Sequence, residues 1–271
     1  MSDQPNYSSR NPPTSNRQLL IVLGLFLTFI VAIFWLLGLV INNLVLLIPP
    51  SFEQKLGSII VPVYEQQAKP SPTQDTLNQL LDNLESNLPE TQTGREYQVL
   101  YVPQETVNAI ALPGDTIIIF EGLLEDVESE NELMMVLGHE LGHFANRDHL
   151  RGIGRALTWR IAIAYLFGDI GILQSSAGTA VQAIANARYS QTQEQQADKF
   201  GLGLLNDTYG HVAGATDFFV RLSEEKRSGL AFLASHPAPK RRVEKIKQLI
   251  EANNYNIETL TPLPKSLANP S

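Results

Sequence analysis

The 271-residue chain contains no cysteine. Neither a disulfide framework nor a thiolate metal site is therefore available, and any transition-metal centre must be built from histidine and carboxylate. Positive charge is also scarce, with 20 lysines and arginines against 28 acids and a net charge of -8. The basic residues form only short clusters offset by acids, which excludes the electrostatic footprint of nucleic-acid binding. Methionine is rarer still, with Met1, Met134 and Met135 the whole set. Between Leu19 and Ile41 charge vanishes altogether.

That uncharged run resumes after Asn42 and Asn43 and stops at Pro49 and Pro50. It is long enough for a bilayer, which takes about 20 apolar residues. A cleaved signal peptide would have an apolar region of about 7–15 residues ending at a small-residue site, and no Ala-x-Ala follows here. A helix this long and apolar on every side is more often a membrane span than a core helix. Residues 1–18, polar and rich in Ser, Asn and Pro, read as a disordered lead-in, and residues 19–48 as a single transmembrane anchor with the lipid bilayer as partner. Arg10 and Arg17 precede the span, with Lys55 and Lys69 beyond it. Positive-inside counting then puts the C-terminal domain on the exported side, periplasmic or equivalent.

Residues 49–72 mix prolines with short apolar pieces and read as a juxtamembrane linker with little regular structure. The folded domain is expected over 73–260, with 261–271 a flexible tail. Leu77, Leu80, Leu81, Leu84 and Leu88 recur at helical spacing and predict a helix over 74–88. Three β-rich segments follow, Tyr97 to Val102, Val107 to Leu112 and Thr116 to Phe120, the last two joined by Pro113-Gly114-Asp115 as a hairpin turn. Ser129 followed by Glu132 is a capping-box signature opening a helix over 130 to about 146. Ile161 to Leu173 is apolar but too short for a second span and reads best as a core helix, against a groove wall or a membrane-dipping segment. Ala177 to Leu205 reads as helical, and Val243, Ile246, Leu249 and Ile250 mark a closing helix. The expected fold class is α+β, mainly helical, with a small β-sheet behind one N-terminal transmembrane helix.

The helix opened at Ser129 carries His139-Glu140-Leu141-Gly142-His143, an H-E-x-x-H motif. Histidines four apart share one helix face, so both imidazoles reach one metal with Glu140 beside it. Zinc takes imidazole and carboxylate ligands, and a catalytic site uses three protein ligands with a position left for water. Glu140 is then the general base for hydrolysis of a peptide bond. For the third ligand the sequence offers two candidates. His149 completes a near-match to the metzincin pattern, with Asn146 where that pattern has glycine, but the downstream methionine turn is missing because every methionine precedes the motif. Glu194 lies fifty-one residues after His143, and a helix there puts it on one face with Asp198, so one carboxylate binds metal while the other orients a ligand. Such an acid pair is also common on solvated helices.

Four ordered motifs carry a resemblance: His139 to His143, Glu194 to Asp198, Ser235-His236-Pro237 before a basic helix with Arg242, and Asn108-Ala109-Ile110-Ala111-Leu112-Pro113-Gly114. Over roughly Gln98 to Gln248 the chain resembles the gluzincin metallopeptidase family that includes the heat-shock peptidase HtpX, the CAAX prenyl protease and the Oma-type mitochondrial peptidase. The resemblance implies a zincin-like domain with one zinc per chain held by His139, His143 and Glu194. It also implies Asp198 supporting the site, His236 contacting the oxyanion, and Asn108, Ala109, Ile110 and Ala111 on the active-site strand that pairs with substrate. HtpX-like members carry several spans where this chain shows one, which looks more like the exported or Oma-type members. The reading is a membrane-anchored endopeptidase of unfolded or membrane-associated proteins, in protein quality control. Its rival is a membrane-tethered chaperone or assembly factor in which the zinc is retained and cleavage is absent or rare. Oligomeric state leaves no signature in the sequence.

Overall fold

The computed structural model describes residues 14–92, 94–156, 188–224 and 229–270. The chain divides into two units, Met1–Leu44 and Val45–Ser271. The described residues of the first form one helix, α1 (Asn16–Leu44), with side chains such as Leu20 and Trp35 exposed. Among the described residues it is the one helix long and apolar enough to cross a membrane.

The second unit opens with a 3-10 turn at Val45–Leu47 and then α2 (Pro50–Glu65). This corrects the expectation of an irregular linker over 49–72. Pro50 occupies the first helical turn, where the missing N–H costs nothing and the fixed φ favours entry. Glu53, Gly57, Ile60, Val61 and Tyr64 are buried, so α2 is part of the folded unit. Helix α3 (Pro72–Glu85) is capped by Ser71, whose hydroxyl accepts from the Gln74 N–H, and it buries Leu77, Leu80, Leu81 and Leu84 as their spacing predicts. It stops three residues earlier than expected, and Leu88 packs on the core from beyond its end.

Strands β1 (Gln98–Val102), β2 (Ala109–Leu112) and β3 (Thr116–Phe120) form one sheet in the order β1-β3-β2, with β1 parallel and β2 antiparallel to β3. Every residue of central β3 is buried, as expected of a strand covered on both faces. The expected turn between β2 and β3 forms with Gly114 and Asp115 both at positive φ, 85° and 58°. The β1 edge is closed by side-chain amides: Tyr101 N–H donates to Gln74 Oε1 (2.8 Å), and Val99 N–H to Asn78 Oδ1 (2.8 Å). The opposite edge is β2.

Short α4 (Glu121–Asp126) leads to α5 (Glu130–Ala145). Ser129 Oγ accepts from the Glu132 N–H at 3.2 Å, but the Glu132 carboxylate turns to Arg221 and the Glu128 N–H, so only half of the expected capping box forms. Residues 148–156 are helical; the segment 161–173 and residues 177–187 lie outside the described residues. Helix α6 (Gln191–Tyr209) begins with a complete capping box between Ser190 and Gln193 and ends at Gly210. Then follow α7 (Asp217–Glu224), α8 (Leu230–Ser235), α9 (Pro239–Asn253) and α10 (Lys265–Ala268).

The flexible tail expected over 261–271 is also corrected, for residues 261–270. Glu130 N–H donates to Thr261 O (3.0 Å), Thr261 N–H to Asn131 Oδ1 (2.7 Å) and Thr73 Oγ1 to Ser266 O (2.9 Å), while Leu267 is buried in the core.

The packing of α5 on α6 decides the site. A Cβ added at Gly142 would lie 2.7 Å from Ala197 Cα, and one at Gly201 would lie 2.7 Å from the His139 nitrogen. Glycine at these crossings lets the two backbones approach far more closely than any larger side chain would permit.

Candidate metal centre

His139 and His143 project from α5 and Glu194 from the first turn of α6; His236 follows α8. All four are buried, and one ligand atom from each lies within 4.8 Å of the others. His139 Nε2 stands 3.1 Å from His143 Nε2, Glu194 Oε1 is 3.4 Å from His143 Nε2, and Glu194 Oε2 is 3.8 Å from His139 Nε2. Two nitrogens about 2.0–2.1 Å from a tetrahedral zinc stand about 3.3 Å apart, so these separations suit a common small cation.

Each imidazole is oriented from behind by a carboxylate that is itself paired with arginine. His139 Nδ1 lies 2.9 Å from Asp198 Oδ1, and Arg242 holds Asp198 through Nε (2.9 Å) and Nη2 (2.5 Å). His143 Nδ1 lies 3.0 Å from Asp148 Oδ2, while Asp148 Oδ1 accepts from Arg151 (2.9 Å) and Gln193 (2.6 Å). Contacts made at Nδ1 orient both rings so that Nε2 points into the cluster. Tyr189 stacks on His143 with centroids 3.8 Å apart and planes inclined by 16°.

Around this cluster the buried carboxylates Glu140, Asp148, Glu194 and Asp198 gather closely, with Arg242 against Glu194 and Asp198 and Arg151 against Asp148. Neither Glu140 oxygen nor Glu194 Oε2 has a hydrogen-bond partner, although Glu194 Oε2 is 2.9 Å from Arg242 Nη1 in an ion pair of poor hydrogen-bond geometry. Buried carboxylate oxygens left without partners are costly, and a bound cation removes that cost. Burial opposes ionisation of Glu194, yet Arg242 and His236 outweigh it and hold the carboxyl well below its usual range. Burial, reinforced by Arg242, lowers His139 to about 4 and keeps it neutral, the ligating form. For His143 burial acts in the same direction, but Asp148 and Glu194 prevail and raise it to about 10. The residues present therefore fit a metal ion.

The structure thus brings together His139, Glu140, His143, Glu194, Asp198 and His236. His149, the other candidate third ligand, is elsewhere: its Nε2 bonds Glu53 Oε1 at 2.7 Å. His236 is closer to the cluster than a sequence count of three ligands allowed, with Nδ1 3.2 Å from both His139 Nε2 and Glu194 Oε1, and Nε2 3.7 Å from Glu140 Oε1. Sequence reading missed Asp148 and Tyr189. Asp148 lies five residues past His143, outside the helical face that the motif repeats, and Tyr189 carries no pattern at all.

The profile of peptidase family M48 matches residues 72–250, from α3 through most of α9. The chain belongs to peptidase family M48. This M48 chain is 34% identical over 153 residues to metalloprotease LoiP of Escherichia coli (strain K12), covering 54% of this chain and 60% of that protein. It is 30% identical over 156 residues to the mitochondrial metalloendopeptidase OMA1 of Arabidopsis thaliana, covering 57% of this chain and 32% of that protein. With a putative beta-barrel assembly-enhancing protease of Vibrio cholerae it shares 26% identity over 182 residues, 62% of this chain and 38% of that protein. The M48 chain therefore spans less than two thirds of the length of each of these relatives.

Proposed function

We propose that the chain is a membrane-anchored zinc metalloendopeptidase that cleaves unfolded or membrane-associated proteins. His139, His143 and Glu194 hold one zinc, and Glu140 is the general base. The observation that carries this reading is the buried cluster itself: metal-ligand atoms of His139, His143, Glu194 and His236 converge, and the neighbouring Glu140 carboxylate, 3.7 Å from His236, has no hydrogen-bond partner. When bound, zinc lowers the pKa of a coordinated water to about 7 and polarises a carbonyl. Glu140 takes the proton of the attacking water and delivers it to the departing amine. His236 faces Glu140 across 3.7 Å and is set to donate to the developing oxyanion, a contribution of about 3 kcal/mol for one good donor. Asp198, clamped by Arg242, keeps the His139 ring in place.

Asn108, Ala109, Ile110 and Ala111 belong to the edge strand β2 and its approach, while the far edge of the sheet is occupied by Gln74 and Asn78. An extended substrate segment adds to β2 through main-chain hydrogen bonds, which favours unfolded clients over one sequence. Relatives named as a mitochondrial metalloendopeptidase and as a putative beta-barrel assembly-enhancing protease support peptide or protein substrates. The apolar α1 supports the single-pass anchor; the basic Arg10 and Arg17 ahead of it favour the exported side for the peptidase unit, an orientation that protease accessibility in sealed vesicles tests.

The activity is tested with the full chain in detergent, by casein digestion and zinc content, wild type against Glu140→Gln. The expected result is equal zinc and cleavage only by the wild type. Equal rates overturn the catalytic assignment, and a zinc-loaded wild type inert toward casein favours the assembly-factor reading.

A further inference from the structure

Helix α2 has three faces, and only two of them have an evident use. Glu53, Gly57, Ile60 and Tyr64, spaced 4, 3 and 4, are buried. A polar face carries Ser51, Gln54, Ser58 and Glu65, all exposed. The third face repeats the same spacing with Phe52, Leu56, Ile59 and Val63, which is an apolar stripe. Phe52 is 49% exposed and Ile59 53%, with Leu56 and Val63 half-buried. Just ahead of the helix, Leu46 and Leu47 are 58% and 76% exposed. Exposed aliphatic and aromatic side chains concentrated in so short a segment mark a surface built for an apolar partner.

We infer that α2 lies in the plane of a lipid bilayer surface, with Leu46, Leu47, Phe52 and Ile59 in the acyl-chain boundary. The inference rests on the anchor reading above and goes beyond it, because it makes a helix of the peptidase unit a second membrane contact. Continuity selects lipid as the occupant: the stripe begins eight residues after α1 ends at Leu44, so a chain anchored through α1 delivers this segment at the interface. Charge agrees. The stripe contains no acid, since Glu53 is turned inward, and Lys55 flanks it with a flexible stem that lets the ammonium reach the headgroups.

The segment is also fixed to the active-site helix and to the turn after β2. Arg147, four residues past His143, donates to Val45 O (2.9 Å) and Ile48 O (2.5 Å). Glu53 accepts from His149 (2.7 Å) and Arg95 (2.6 Å), and Arg95 continues to Asp115. Gly57 packs so closely on Gly114 that an added Cβ would meet its Cα at 2.6 Å. Membrane contact through α2 is therefore rigidly coupled to the turn that follows the substrate-pairing strand, which restricts clients to segments near the bilayer surface.

The absence of cysteine makes the test clean. Phe52→Cys, Ile59→Cys, Ser58→Cys and Glu65→Cys in the full chain are each labelled with an environment-sensitive fluorophore. The proteins are then reconstituted in phosphatidylcholine–phosphatidylglycerol vesicles carrying a nitroxide high on the acyl chain. Labels at 52 and 59 are expected to lose most of their emission to the nitroxide, and labels at 58 and 65 little. Equal quenching at all four positions overturns the inference, as does a blue-shifted label at 52 or 59 that the nitroxide does not reach, which would mean protein cover. Leu39→Cys, near the end of α1, separates the two readings: quenching at 39 without quenching at 52 and 59 sinks only the interfacial helix, whereas no quenching at 39 sinks the anchor as well.

Discussion

Substituting Gly142, the residue before the second histidine of the motif, tests how the site is assembled without touching a ligand. In Gly142→Ala the new Cβ meets Ala197 Cα at 2.7 Å and Ala197 O at 2.9 Å, both backbone atoms that no rotamer change can move. Ordinary van der Waals contact begins at 3.4 Å, so α5 and α6 must separate by about 0.7 Å at this crossing. Overpacking of this kind costs about 1–3 kcal/mol, partly offset by the gain of about 1 kcal/mol in helix propensity. The same separation carries Glu194 away from His143, stretching a 3.4 Å ligand-to-ligand distance beyond what one small ion bridges. Zinc affinity, measured by chelator competition, is expected to fall at least tenfold, with a lowered thermal midpoint. Gly203→Ala on the same α6 is the control, because nothing lies within 4 Å of its added Cβ, and it should retain metal and gain stability. A Gly142→Ala protein with wild-type zinc affinity would refute the argument that close helix approach builds the site.

Three further outcomes follow from the geometry. Asp148→Asn removes the charged partner of His143 and should cost about 10–100-fold in metal affinity, read by the same competition assay, while His149→Gln leaves affinity unchanged. His236→Ala should keep near-stoichiometric zinc but lower kcat about 100-fold or more if the ring serves the oxyanion; loss of zinc in parallel would make it a ligand instead. Burial works against the Glu53 carboxylate, yet His149 and Arg95 lower it from 4.5 to about 2, so its stabilisation is fully present above pH 4.5 and is lost as pH falls toward 2. That contribution is about 3 kcal/mol, and Glu53→Gln should flatten the acid limb of a plot of stability against pH; an unchanged limb would contradict it.

Much of this arrangement is legible in the sequence because local pattern and tertiary demand agree. The leucines of α3, the short β-rich runs of β1 to β3 and the H-E-x-x-H run each state one local pattern, and each element forms close to where that pattern puts it. Helix α2 was hidden because Pro49, Pro50, Pro62 and Gly57 are usual helix breakers; here Pro50 sits at the helix start and Gly57 is needed for contact with Gly114. The anchored tail was hidden because it depends on one core leucine, Leu267, and on hydrogen bonds to Asn131 and Thr73, none of which makes a repeat. Spacing alone left His149 and Glu194 as rival ligands. What separates them is Glu53 on α2, which engages His149, and the glycine crossing, which brings Glu194 to the two histidines.

The central claim is that His139, His143 and Glu194 hold one catalytic zinc. Elemental mass spectrometry of the purified full chain tests it most directly, on wild type, Glu194→Ala and His149→Ala. The account predicts about one zinc per wild-type chain, a large loss in Glu194→Ala and none in His149→Ala. A folded wild type without zinc, or full zinc retention in Glu194→Ala, would contradict it.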